Sequence, residues 1–219
     1  YLKGDGASDA IAGHAAAFEI IARDVFDNVL AFGRYAWAVS LSNDQNSFKV
    51  HQLAGSGGGS YKFAYNATRA GTYDLMVGAP DLGGGVNGSV QVQDSPFTVT
   101  VRPGPISGPK SKIYGPNCPE GEDTWNEGSG RPVRLWIEAR DRFENQLDVA
   151  PSIPAPFTVK VRRRGASKVV ATAVAKSKDE SGMYDVDVTL DDTGDYLVYV
   201  TTSLPSAYGG EAGELEGSP

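Results

Sequence analysis

The chain has 219 residues, of which 40% are hydrophobic and 21% are charged, and its net charge is −7 at pH 7. This hydrophobic share excludes a disordered chain, and the acidic balance (pI ≈ 4.9) argues against a nucleic-acid partner. No apolar run approaches the ~18 residues of a membrane span, so we expect no membrane insertion.

The first half of the chain alternates between apolar and polar side chains, which is the pattern of strands with one buried face. In "AAFEIIARD", for example, Phe18, Ile20 and Ala22 fall on one face. No segment keeps the period of about 3.6 residues that a helix has. The alternation predicts strands near 16–24, 34–42, 47–54, 60–66, 72–79 and 90–102.

A junction rich in proline and glycine, "VRPGPISGPKSKIYG", follows these strands and predicts a stiff connection. We place a domain boundary in it at about residue 104, which gives domains 1–104 and 105–219. Beyond it, "VRLWIEARD" and "YDVDVTL" alternate in the same way. The second domain is predicted to have strands near 111–115, 132–140, 156–164, 168–175, 182–190 and 194–202.

A seven-residue motif occurs twice, as "ARDVFDN" at 22–28 and "ARDRFEN" at 139–145, an offset of 117 residues (139 − 22). We interpret it as a structural turn in which the Asp accepts hydrogen bonds from turn amides and the Asn tolerates a left-handed conformation, while the Phe covers the core. The alternative is a calcium site of Asp24, Asp27 and Asn28. Calcium takes roughly six to eight oxygens, and no further acidic strand converges nearby.

A longer pair of segments repeats with a second offset. "GSYKFAYNATRAGTYDLMV" lies over "GMYDVDVTLDDTGDYLVYV", so that Tyr61 matches Tyr184 and Tyr73 matches Tyr196, both 123 residues apart (184 − 61, 196 − 73). Tyr73 and Tyr196 each follow a Gly at a strand start, where a tyrosine hydroxyl can bond back to the backbone. The same offset places "DSP", which precedes "FTVTV", on the final "GSP" (217 − 94). We therefore predict one unit made twice, the second without its last strand.

The order of these motifs resembles the filamin-type immunoglobulin repeat. The resemblance rests on "ARDxFxN", then "GSYxxxYxxTxxGTYxLxV", then "DSPFTVTVRPG". Two departures are that Asp94 replaces the family's Gly and that "GGGVNGSVQVQ" replaces its short His-Pro-Gly-like approach to the last strand. The resemblance implies an all-β fold of two tandem immunoglobulin-like β-sandwiches.

Catalysis is not expected from these residues. His14 and His51 lie in different strand regions of the first copy, and no nucleophile motif accompanies them. The only cysteine, Cys118, cannot form an internal disulfide, and one Cys with two His lacks the spacing of a metal site. We therefore predict no enzyme, no cofactor and no metal.

Protein binding remains as the predicted activity. The resemblance implies that a partner strand adds to the edge beside the third and fourth strands, where backbone groups are unpaired. The alternative is that this face is simply core, with the small row Ala36, Ala38 and Ser40 open to a strand. The cluster "KVRRRG" suits either an acidic partner or a solvated strand end. The candidate residues are Tyr35, Trp37, Val39, Leu41, Phe48, Val50, Phe157, Val159, Val161 and Val169.

The main hypothesis is a cytoskeletal or scaffold module of a larger multi-repeat protein that spaces and docks protein partners, with a cytoplasmic location slightly favoured. One alternative is a cell-surface adhesion ectodomain, for which possible glycosylation at Asn66 and Asn87 counts weakly. Another is an accessory domain of an enzyme that lies outside this stretch. We also predict that the sixth strand of the second copy, near 195–201, has an open edge that a neighbouring chain pairs or that leaves the copy less ordered.

Overall fold

The computed structural model describes residues 1–31, 35–54, 58–80, 89–116, 129–147, 156–178, 181–202 and 212–215, with the backbone alone for 80, 89 and 90. The chain divides into two compact units, Tyr1–Arg102 and Pro103–Pro219. Each is built from β-strands, and the described residues contain no α-helix. This confirms the predicted all-β class of immunoglobulin-like sandwiches.

The first unit places its described strands in two sheets. One has the order β1-β3-β7-β6 and the other β2-β10-β8-β4-β5, with β9 beside β8. Phe18 on β3 and Leu75 on β8 are among the side chains buried between them. The strands are β1 Leu2–Lys3, β2 Asp9–Ile11, β3 Ala15–Ile21, β4 Ala38–Ser42, β5 Ser47–Phe48, β6 Val50–Gln52, β7 Ser60–Asn66, β8 Gly71–Pro80, β9 Ser89–Gln91 and β10 Phe97–Arg102.

The second unit repeats this plan. Its sheets have the orders β11-β12-β16-β15 and β14-β13-β17-β18 in the described residues. The core between them includes Leu135 and Ile137 of β12 and Val186 of β16. The strands are β11 Lys112–Tyr114, β12 Pro132–Glu138, β13 Phe157–Arg163, β14 Val169–Val174, β15 Lys176–Ser177, β16 Met183–Thr189, β17 Tyr196–Thr202 and β18 Gly213–Glu214.

The internal repeat extends to the pairing register of single residues. Gly78 of β8 pairs with Gln91 of β9, and Thr201 of β17 pairs with Glu214 of β18, so both partners move by 123 residues (201 − 78, 214 − 91). Strand β18 is therefore the counterpart of β9 and not of β10. No described residue takes the place on β17 that β10 takes on β8.

Side-chain burial records this difference between the units. Tyr73 and Leu75 of β8 are 1% and 0% exposed, and Val99 of the neighbouring β10 is also fully buried. Their counterparts Tyr196 and Val198 are only half-buried. The tyrosine corner itself is kept in both units, because the Tyr73 hydroxyl donates to the Arg69 carbonyl at 2.9 Å and the Tyr196 hydroxyl donates to the carbonyl of Asp192 at 3.0 Å.

The repeated seven-residue motif forms the same turn in both units. The Asp24 carboxylate accepts hydrogen bonds from the backbone N–H groups of Phe26 and Asn28, each at 2.9 Å. Asp141 accepts the corresponding two bonds at 2.8 and 3.0 Å. A short carboxylate that satisfies two turn amides explains why the Asp occurs in both copies, and confirms the structural interpretation of this residue.

Two details of that interpretation were wrong. The left-handed residue of the turn is not the Asn but the residue before it, Asp27 or Glu144, each with a φ of 67°. The Phe does not cover the core in the first unit, because Phe26 is 81% exposed. Phe143 is half-buried. The turn is held by the Asp bonds, so its tip needs no contact with the core.

The two turns differ in what covers them. Asp141 is fully buried, and its carboxylate also accepts bonds from the Gly104 amide and the Asn145 side chain, both at 2.8 Å. Asp24 is exposed, and the hydrogen bond from the Asn28 side chain is the main cause that lowers the pKa of its carboxyl group below 3.8. The ionised carboxylate therefore stabilises its turn fully above the ordinary pKa of 3.8, and this contribution is lost as the pH falls through the lowered pKa.

Asp141→Ala should destabilise the second unit more than Asp24→Ala destabilises the first. The Asp141 change leaves buried donors, including the Gly104 amide, without an acceptor and costs about 3 kcal/mol. The amide donors around the exposed Asp24 can form hydrogen bonds with water instead. Urea unfolding followed by amide signals of each unit measures both effects, and equal losses of stability would contradict this account.

A copy of Phe97–Arg102 joined behind Pro219 should stabilise the second unit, because it supplies a strand at the place on β17 that no described residue fills. We expect the melting temperature of that unit to rise by at least about 4 °C, the shift that 1 kcal/mol produces in a domain of this size. Hydrogen exchange at the Tyr196 amide should slow. The control is the same extension with serine in place of Val99 and Val101, and unchanged exchange in the first extension would refute the assignment.

Candidate partner-binding edges

The predicted edge row of the first unit faces the core. Leu41 is fully buried, and Tyr35, Trp37 and Val39 are half-buried. The Trp37 ring packs edge-on against Tyr61 with centroids 5.6 Å apart, and the Tyr35 and Tyr61 rings are 6.3 Å apart. The alternate row is exposed, as its small side chains allow. This arrangement matches the core alternative for the face.

The predicted strand at 47–54 divides between the two sheets of the first unit. Phe48 lies on β5 opposite Leu41, and its ring packs edge-on against Tyr73 with centroids 5.4 Å apart. Val50 lies on β6 in the other sheet, opposite Tyr65. The strand outside β4 is therefore only two residues long in the described residues.

In the second unit, the predicted residues of β13 lie in the middle of a sheet. Strand β13 pairs with β14 on one side and with β17 on the other. Phe157, Val159 and Val161 are at most 1% exposed and belong to the core. They can contact a partner only if the unit opens, so the edge lies one strand further out.

That outer strand is β14, with six residues. Val169, Ala171 and Ala173 are half-buried on its inner side, while Val170 and Val174 are 50% and 49% exposed. In the described part of the chain, no strand lies beyond β14. It is longer than β5, the outermost strand at the predicted binding edge of the first unit.

The backbone of β14 alternates between its neighbour and the open side. The amide of Ala175 donates to the carbonyl of Phe157 on β13 at 3.1 Å. Because hydrogen-bonding groups alternate along an antiparallel strand, Ala173 and Ala171 also direct theirs to β13. The N–H and C=O groups of Thr172 therefore point to the open edge, where a further strand would pair.

Other predicted chemistry finds little support in the described residues. No group of three or more His, Cys, Asp or Glu residues is placed to hold a metal. At the first turn, backbone amides donate to Asp24 and the Asp27 carboxylate pairs with Arg23 at 2.8 Å, so these oxygens already have protein partners. Asn66 is exposed. Asn87 and Cys118 lie outside the described residues. No helix described here is long and apolar enough to cross a membrane.

Comparisons with known proteins support the fold. Neither a protein-family model nor a curated protein matches the sequence. Among solved structures, the chain is similar to the Escherichia coli adhesin FdeC, with 15% identity and a TM-score of 0.53 over 98% of this chain and 62% of that one. It is also similar to the Lin-41 filamin domain, with 19% identity and a TM-score of 0.36 over 47% of this chain and 90% of that one. A specific filamin family is not shown.

Val159→Ala and Val170→Ala separate core from edge on neighbouring strands. Val159→Ala should cost about 2–3 kcal/mol, because it leaves a cavity at a fully buried site. Val170→Ala should change the free energy of unfolding by less than about 0.5 kcal/mol. Urea unfolding of the second unit measures both, and a large cost at Val170 would mean that this side chain is covered.

Proposed function

We propose that the chain is a non-catalytic interaction module of a larger protein and that it docks partners by adding an extended partner strand to β14. The observation that carries this proposal is a six-residue strand paired on one side only among the described residues. An unpaired edge presents a row of backbone donors and acceptors, which gives an added strand its affinity. In this mode of binding, the surfaces that contact alternate side chains of the added strand determine which partner sequence binds.

The inner side of β14 suits an added strand because its side chains are small. Ala171 and Ala173 are half-buried and pack against the core of the second unit. Alternate side chains of a partner strand would lie over them and remove further apolar surface from water. The exposed Val170 and Val174 would flank the partner on the outer side.

The cellular setting has two candidates. A cytoskeletal or scaffold role follows from tandem repeats that space and dock partners. A cell-surface adhesion role is favoured by the fold shared with the adhesin FdeC and by the exposed sequon at Asn66. The mass of Asn66-containing peptides from native material separates them, because only a chain that passes through the secretory route carries a glycan there.

Strand addition at β14 should be weakened by Thr172→Pro. Proline removes the edge-facing N–H group and is tolerated on edge strands, so the unit keeps its fold. We expect the peptide acetyl-Thr-Val-Thr-Val-Thr-Val-Thr-amide to shift the amide signals of Val170–Val174 and to bind Thr172→Pro at least about tenfold more weakly.

Thr172→Ala is the matched control, because it shortens the same side chain and keeps the N–H group. Its affinity for the peptide should stay within about twofold of the unchanged chain. Equal binding to the proline variant, or peptide-induced shifts confined to the first unit, would rule out β14 as the docking edge.

A further inference from the structure

The outer face of the β14-β13-β17 sheet carries three cations for which the described residues supply no carboxylate partner. Lys160 is exposed at its centre, opposite Thr172 on β14 and Tyr199 on β17. The Arg162 guanidinium lies 4.9 Å from the centre of the Tyr199 ring, and its Nε is buried without a hydrogen-bond partner. Lys168 is exposed just before β14 begins.

These cations stand out in an acidic chain. The ion pairs of the described residues join Arg23, Arg102, Lys110, Arg134 and Arg140 to carboxylates, and none includes a cation of this face. The net charge of the whole chain is −7. A cationic patch on such a chain is a local feature that complements a negative partner.

The first unit shows that the fold does not require these cations. Its β4–β8 pairs correspond to the β13–β17 pairs at the offset of 123 residues (199 − 76, 197 − 74). At the equivalent positions two cations are absent and one carboxylate is present. Because the two units share one fold, we attribute the charge difference to a binding partner of this face and not to folding. The counterparts are Ser40 for Lys160, Ser42 for Arg162, Met76 for Tyr199 and Asp74 for Leu197.

We propose that the strand that docks on β14 is acidic, with carboxylates on its outward residues and apolar side chains on its inward residues. This rests on the proposed strand addition. An added strand lies about 4.8 Å from β14. Its outward residues then lie beside Thr172 and face Lys160 across it, within reach of a lysine side chain. Its inward residues lie over Ala171 and Ala173.

The competing role of these lysines is to keep strands away. Charged residues on an edge strand prevent unwanted pairing between copies. That role would repel cationic strands but would give no preference for an acidic strand over a neutral one. A negatively charged membrane surface is a second competitor for the same cations. Each competitor predicts a different binding result.

The test compares two peptides on the full chain. We expect acetyl-Glu-Val-Glu-Val-Glu-Val-Glu-amide to bind at least about tenfold more tightly than its Thr-Val counterpart at low salt. The difference should shrink at about 0.5 M NaCl, where charges are screened beyond roughly 4 Å. Lys160→Ser with Arg162→Ser, which installs the residues of the first unit, should abolish the preference and leave the affinity for the neutral peptide unchanged.

Lys160→Ser alone should reduce the preference, and because Lys160 is exposed it tests the proposal even if the Arg162 change lowers stability. Lys3→Ser, which removes an exposed cation from the first unit, is the control and should change neither affinity. Equal affinity for the two peptides, or a preference that survives the double variant, would overturn the acidic partner while strand addition stands. Binding of neither peptide would overturn the proposed function itself. Cosedimentation with phosphatidylserine vesicles that the double variant abolishes would assign the face to a membrane instead.

Discussion

Burial of alternate side chains between two facing sheets is the constraint on which the rest of this protein depends. Each strand can place only every second residue in the core, so register and face are fixed together. The same constraint explains why the two units keep corresponding strand pairs while outer residues differ. Lys160 and Ser40, for example, occupy the same place in the two sheets, opposite Tyr199 and Met76.

Because the chain contains the same fold twice, each residue of one unit can be compared with its counterpart in the other. The Asp turn has the same two amide hydrogen bonds whether it is exposed, as at Asp24, or buried, as at Asp141. The comparison also identifies β18 as the counterpart of β9, which pairs with one end of β8 while β10 pairs with the rest of that strand. Tyr196 is half-buried because no described strand covers the part of β17 that corresponds to the β10-paired part of β8.

The proposed docking edge follows from where the chain changes sheets. In the first unit the chain leaves the β4 sheet after two residues of β5, and in the second it continues for six residues of β14 before it crosses at Ala175. A longer edge exposes more unpaired backbone. The second unit therefore combines a long edge with a cationic outer face, and the first unit has neither feature.

The sequence by itself determined the longer strands, their succession along the chain and the duplication, because alternation and turn residues are local signals. It also identified the Asp of the turn, whose hydrogen bonds reach only two and four residues along the chain. Only the tertiary structure decided that β13 is central, that 47–54 divides between two sheets and that Phe26 is exposed. Central and edge strands have the same two-residue alternation of side chains. Whether a strand is paired on both sides depends on hydrogen bonds with segments that are distant in sequence.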